Sequence, residues 1–460
     1  MFRKRIHRRH LDITSGPMGK NVMRYALPVF FSGILQLLFN AADSIVVGRH
    51  VGSEALAAVS STGTINGLLV CLFLGLSSGS SILVSRFVGA RDYKNVHDTV
   101  HTSVLVALLS GLVLAVAGWF LSKPMLHLMG TPDDVIDLAA LYLKIIFLGM
   151  PAQMIYNFCA SILRAVGDTK RPLYFLTTAG VINVVLNVLF VITFNMSVAG
   201  VALSTVLSQL ISAVLVVHSL SLREDATRLF YRKLRIKPRI MLKLLHLGLP
   251  AGIQSATFSL SGMLIQSSIN SFGSVAMAGI GAATSIGGFI NNSLDAFSQA
   301  NTCFVSQNYG ARKPRRILRA VYTCLGLASV FIIIFSALTI LFGRPLLRLY
   351  VDDEAAVDWG MIRIIYLHVP YFIGGVQSIF LGALRGMGYS ILAMCISLVG
   401  ICGLRVLWLY TAFAAYPTMA CLIASYGVSW CFTAPVGGIC FFLLYKRLLK
   451  NYTPEELAER

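Results

Sequence analysis

Long apolar runs dominate the chain, and their spacing sets its architecture. A helix needs about 20 mostly apolar residues to cross the hydrocarbon core of a bilayer. Twelve such stretches follow one another, near 25–48, 54–84, 99–121, 136–160, 173–194, 198–220, 245–271, 275–305, 318–342, 358–383, 391–413 and 419–446. The second and eighth are long and rich in Gly and Ser, which leaves their ends the least defined. The connections are short, and the longest is a basic segment in the middle of the chain. The pattern predicts an all-α membrane protein with twelve transmembrane helices.

The chain also matches itself. VGSEALAAVSSTGTI (51–65) lies over FGSVAMAGIGAATSI (272–286), and VSRFVGAR (84–91) over VSQNYGAR (305–312). KIIFLGMP (144–151) lies over RIIYLHVP (363–370), and LRAVG (163–167) over LRGMG (384–388). These landmarks keep their order through both halves, which chance apolar similarity does not do. Each half holds six spans, an even number, so both enter the membrane from the same side. Such a parallel repeat is the geometry of two-lobe transporters. The organisation expected is a basic tail over 1–24, a first lobe over 25–220, a linker over 221–243, a second lobe over 244–446 and a C-terminal tail over 447–460.

Composition narrows the classes further. Of 460 residues, 56% are hydrophobic and 12% charged, with mean hydropathy +0.76, whereas soluble domains carry about 25% charged residues. A soluble enzyme, a disordered chain and a disulfide scaffold are excluded. The net charge of +19 comes from 38 Lys and Arg against 19 Asp and Glu. Nucleic-acid binding would place the basic residues on one polar face. Instead they gather in the tails and in every second connection, as in Arg223, Arg228, Arg232, Lys233, Arg235 and Lys237 of the central linker. Basic residues accumulate on the cytoplasmic side, so both termini are expected in the cytoplasm of a multi-pass protein of the bacterial plasma membrane. The nine cysteines all lie in apolar stretches and form no CxxC pair, so they read as packing residues.

Charge inside a bilayer is costly and marks function. Asp43 lies in the first span, with Gln36 and Asn40 seven and three residues before it on the same helical face and Pro28 farther up. Desolvation disfavours an ionised carboxylate, so Asp43 is suited to hold a proton or a sodium ion; the alternative is an Asp locked in structural hydrogen bonds. Asn183 and Asn187 share a face of span five, and Thr205 lies in span six. Their oxygens suit a hard cation, although buried Asn and Thr also serve helix packing. Asp295 in span eight either lines a cavity in the second lobe or pairs with Arg405 of span eleven. Lys144 and Arg363 occupy matching positions in the repeats, where long cationic side chains snorkel to the interface.

The pieces LPVFFSGILQLLFNAADSIVVGRHVGSEALAAV, the two VSxxxGAR loops, and INVVLNVLFV followed by VAGVALSTVLSQ resemble the multidrug and toxic compound extrusion (MATE) family of cation-coupled antiporters, over about residues 20–446. The resemblance implies a V-shaped pair of six-helix lobes. It also implies a cation or proton site in the first lobe, here Asp43, Asn183, Asn187 and Thr205, which would be the metal ligands if the ion is sodium. Gln36 and Pro28 would belong to a bending first helix. Many members carry a second Asp in span five where this chain has Asn187, and the acidic residues that some carry in spans seven and ten are missing here.

The activity expected is secondary active antiport. Organic compounds, amphipathic or cationic and drug-like, would leave the cell in exchange for H+ or Na+, with no cofactor beyond that ion. GxxxxGK[ST] and HExxH are absent, so neither nucleotide-driven transport nor a zinc hydrolase is indicated, and the chain is not expected to be an enzyme. The partners expected are the small organic substrate, the coupling ion and the lipid bilayer, with no nucleic acid, for a monomer. The alternative is a flippase for a lipid-linked precursor, which would need cationic side chains along its cavity; a receptor or scaffold would need a signalling domain that these connections cannot hold.

Overall fold

A computed structural model describes residues 13–128 and 131–452. Arg3, Lys4, Arg5, Arg8, Arg9 and Arg460, with much of the two expected tails, lie outside the described residues. The chain forms α1 (Met18–His50), α2 (Ser53–Gly89), α3 (Tyr93–Leu128), α4 (Asp133–Leu148), α5 (Met150–Ala165), α6 (Lys170–Asn187) and α7 (Ser197–Ser221). It continues with α8 (Pro238–Asn270), α9 (Ser274–Gly310), α10 (Pro314–Leu341), α11 (Gly343–Leu347), α12 (Glu354–His368), α13 (Tyr371–Met387), α14 (Ser390–Ser397), α15 (Leu404–Trp408) and α16 (Met419–Leu449).

Nine helices among the described residues are long and apolar enough to cross a membrane, and two bent pairs raise the number to eleven. The bent pairs are the fourth and tenth spans of the sequence pattern. α4 and α5 meet at 48°, and α12 and α13 at 46°. Pro151 and Pro370 lie at the breaks, where a missing N–H interrupts the backbone ladder. The seventh span, α8, is 33 residues long, but Gln254, Ser255, Thr257, Ser259 and Ser261 dilute its apolar character.

The repeat is written into the backbone as well as the side chains. Positive φ recurs at Gly52 (117°) and Gly273 (92°), at Arg91 (56°) and Arg312 (54°), and at Gly167 (84°) and Gly388 (100°). A π-helical stretch follows Asn187 at Val188–Thr193, and its counterpart follows Trp408 at Leu409–Phe413. Within the eleventh span a further π-helical stretch, Leu398–Gly403, joins α14 to α15.

The helices sort into two compact units. Phe31–Gly252 belongs to the first; Ile13–Phe30 and residues 253–452 belong to the second. α1 and α8 are therefore shared, each passing from one unit to the other three residues beyond an internal proline, Pro28 or Pro250. The first unit packs around Val100, Ala107, Leu143, Phe147, Phe158 and Ile162. The second has one cluster around Ile290, Leu294, Ile332 and Trp430, and another around Ala283, Leu347 and Ile364. Leu109, Val116, Phe120, Val330, Ile333 and Ile334 stay exposed, as expected of helix faces solvated by lipid.

Within the first unit, α2 and the start of α8 touch backbone to backbone. A Cβ at Gly75 would stand 2.1 Å from the Gly252 nitrogen, and one at Gly79 would stand 2.7 Å from the Gly248 nitrogen. Small residues at such crossings let membrane helices gain dispersion contacts that lipid cannot replace. The central linker is fastened to the same unit. Arg223 pairs with Asp168 at 3.5 Å and with Asp225 at 3.0 Å, and the Phe230 N–H donates to His101 Nε2 at 3.0 Å.

Candidate functional site

The site in the first unit begins with a helix contact. Gly180 of α6 has no side chain, so the ring of Phe39 on α1 lies where a Cβ would stand, 1.8 Å from that point at its nearest atom. One turn past Phe39, α1 presents Asp43. One and two turns past Gly180, α6 presents Asn183 and Asn187, both buried. The close approach at Gly180 thus registers a carboxylate against two amides.

The hydrogen bonds then run in one direction. Asn187 Nδ2 donates to Asp43 Oδ1 and shares a longer bond with Asn183 Oδ1 at 3.4 Å. The Ser204 hydroxyl of α7 donates to Asn187 Oδ1. Asn183 Nδ2 donates to Thr205 Oγ1 at 3.4 Å, and Thr205 bonds back to the Val201 carbonyl at 2.9 Å. Tyr142 of α4 lies within electrostatic reach of Asp43. One oxygen of Asp43 is held, and Oδ2 carries no hydrogen bond among the described residues. A carboxylate oxygen that is half-buried and open can accept a proton or coordinate a hard cation. Among the described residues no cluster of three His, Cys, Asp or Glu side chains occurs that would hold a heavier metal ion.

The structure therefore brings Asp43, Asn183, Asn187 and Thr205 into one connected network. It does not bring Gln36 or Asn40 into it: both side chains are exposed and make no hydrogen bond to the network. Pro28 is buried near the start of α1, in the second unit. Ser204 is the participant that the sequence reading missed. Its signal was the hydroxyl pair Ser204–Thr205, of which only one member was chosen. Ser204→Ala leaves Asn187 Oδ1 buried without its donor, at a cost of about 1–3 kcal/mol. Its thermal transition in detergent is expected to fall, and Ser204→Thr, which keeps a hydroxyl, is expected to recover part of the loss.

In the second unit Asp295 and Arg405 are not an ion pair. Asp295 is exposed and accepts from Asn291 Nδ2 at 3.5 Å, while Asn291 Oδ1 accepts the Tyr371 hydroxyl at 3.2 Å. Arg405 is buried, donates from Nε to Ser429 Oγ at 3.3 Å, and lies 4.1 Å over the Tyr426 ring. Lys144 is half-buried with its ammonium 5.4 Å from the centre of the Trp119 ring, and Arg363 is half-buried with its Nε sealed from solvent. The sequence reading also passed over His368, which is buried and shares a hydrogen bond of 2.8 Å with Thr339.

Two six-helix repeats, helical throughout and apolar on their outer faces, with one carboxylate set among amides and hydroxyls, define a polytopic membrane transporter. The chain belongs to the MatE family of multidrug efflux transporters, whose model matches residues 28–189 and again 250–411. It is 30% identical over 439 residues to Probable multidrug resistance protein YpnP of Bacillus subtilis, a match covering 95% of this chain and 96% of that protein. It is 27% identical over 394 residues to Probable multidrug resistance protein YoeA of the same organism, covering 84% and 85% of the two chains. The fold matches the outward-facing conformation of a multidrug resistance MATE family transporter of the MOP superfamily with TM-score 0.90, at 20% identity, over 96% of this chain and 99% of that one. Transporters of this family move small organic compounds across the membrane.

Proposed function

We propose that this chain is a secondary active antiporter that exports organic, amphipathic or cationic compounds in exchange for H+ or Na+, with Asp43 as the coupling group. The observation that carries the reading is the arrangement at Asp43. One carboxylate oxygen is held by Asn187, whose amide is fixed in turn by Ser204, and the other is open to a cation. Occupation by a proton or sodium removes the negative charge, and with it the attraction for a cationic substrate. The same helix carries Pro28 three residues before it passes from one unit to the other. A proline there gives α1 a place to bend with little loss of backbone hydrogen bonding, so charge at Asp43 and the course of α1 are joined on one element.

The loop asymmetry of Lys and Arg supports both termini in the cytoplasm of a bacterial plasma membrane. The reading takes the protein as a monomer with no cofactor beyond the coupling ion. The test is uptake of a fluorescent organic cation into inverted membrane vesicles energised separately by a proton and a sodium gradient. Uptake driven by either ion supports antiport and names the ion. Uptake indifferent to both gradients contradicts it.

A further inference from the structure

The two repeats differ in the charge they present. At the offset that aligns the halves (51 against 272), Asp43 corresponds to Leu264, Asn183 to Leu404, Asn187 to Trp408 and Thr205 to Tyr426. The second unit has lost the acid and the amides, and next to Leu404 it has gained Arg405. Arg405 as a whole residue is 8% exposed, and it sits in the middle of the eleventh span, where a charge demands a partner. Yet its neighbours in electrostatic reach are Tyr426, Cys402 and Tyr371, with no carboxylate among them. Asp295 accepts from Asn291 instead, with Arg385 and Tyr371 in its electrostatic reach. The face of the Tyr426 ring stabilises a cation but does not neutralise it.

Arg405 is held on two sides. Tyr426 lies 4.1 Å from the guanidinium carbon and fixes its plane, while Ser429 takes the Nε–H at 3.3 Å. Ser429 is itself held by the Tyr426 carbonyl at 2.8 Å. Among the described residues neither terminal nitrogen donates a hydrogen bond, and neither is sealed from solvent-sized space. The edge left open is the two-donor fork that matches a carboxylate or sulfonate. Trp430 packs edge-on against Tyr426 at 6.1 Å and against Tyr371 at 5.2 Å, so aromatic rings flank the charge.

We infer that Arg405, Tyr426 and Ser429 form a binding site in the second unit for the anionic group of a flat aromatic compound, whose rings lie along Trp430 and Tyr371. The substrate range of this chain thus extends to aromatic organic acids, and the repeats divide the work, the first attracting cations and the second anions. The inference rests on the antiport reading only in taking the occupant as a small organic cargo.

The test measures binding of radiolabelled 2-naphthoate and of its uncharged analogue 2-naphthamide to the purified full chain in detergent. The wild type is expected to prefer naphthoate by about tenfold or more, the scale of a desolvated charge contact. Arg405→Gln is expected to erase that preference while naphthamide binding stays within about twofold, and Arg405→Lys, a charge without the fork, to keep part of it. No preference in the wild type, or an unchanged preference in Arg405→Gln, overturns the site. Should Arg405→Gln lack a cooperative thermal transition, Tyr426→Leu replaces it, with the same expected loss and the same overturning result. Asp43→Asn is expected to keep the naphthoate preference while losing ion-driven export, so failure of the antiport reading and failure of this site are read separately.

Discussion

Asp43→Asn is expected to reduce ion-driven export to background while the protein still folds and reaches the membrane. The amide is nearly isosteric with the carboxylate, and Asn187 can still donate to its oxygen, so the network among α1, α6 and α7 survives. What disappears is the exchangeable charge. An ion crossing the membrane potential supplies about 2.3 kcal/mol per 100 mV, and about 1.4 kcal/mol is a tenfold change, so one ion sustains a substrate gradient of a few tens-fold per 100 mV. Without the coupling group the substrate runs only down its own gradient. Asn40→Ala is the control, since its exposed side chain makes no hydrogen bond to the network; it is expected to keep most of the activity. Concentrative efflux measured in cells, beside the amount of protein in the membrane, reads both.

Gly75→Val has the second largest expected effect, and it acts on the fold. The new Cβ would stand 2.1 Å from the Gly252 nitrogen and 2.3 Å from its Cα, and backbone on both sides leaves no side chain to swing aside. α2 and α8 must separate, at a cost of about 3 kcal/mol or more for an overpacked contact, with the close dispersion contacts of the crossing lost besides. The folded fraction and the thermal transition in detergent are expected to collapse. Gly262→Ala, in the same helix α8 but with open space around the added carbon, is expected to leave both unchanged.

Spans and repeat were legible in the sequence because they are local. A run of apolar residues states its own length, and VGSEALAAV over FGSVAMAGI states its own register. The face of α6 that carries Asn183 and Asn187 follows from a spacing of four, and so was legible too. The breaks near Pro151 and Pro370 were hidden inside runs apolar enough to read as single spans, although both prolines stood in plain view.

What lies across helices was harder to read. Ser204 joins the network, with Thr205 beside it, because α7 is turned so that both hydroxyls face α6, and that rotation depends on packing. Phe39 meets Gly180 only once α1 and α6 are side by side. Asp295 and Arg405 could be weighed as an ion pair from their types alone. The interhelical distances decide otherwise, giving one to Asn291 and the other to Tyr426 and Ser429.

The central claim is that ion and cationic substrate draw on the same negative charge in the first unit. Its most direct test is to add a fluorescent organic cation to the purified protein in weakly buffered detergent, with and without radioactive sodium, and to record protons or sodium given up. Release from the wild type that rises with substrate occupancy, and no release from Asp43→Asn, is the result predicted. Substrate binding that displaces neither ion, or displaces as much from Asp43→Asn as from the wild type, would contradict the account.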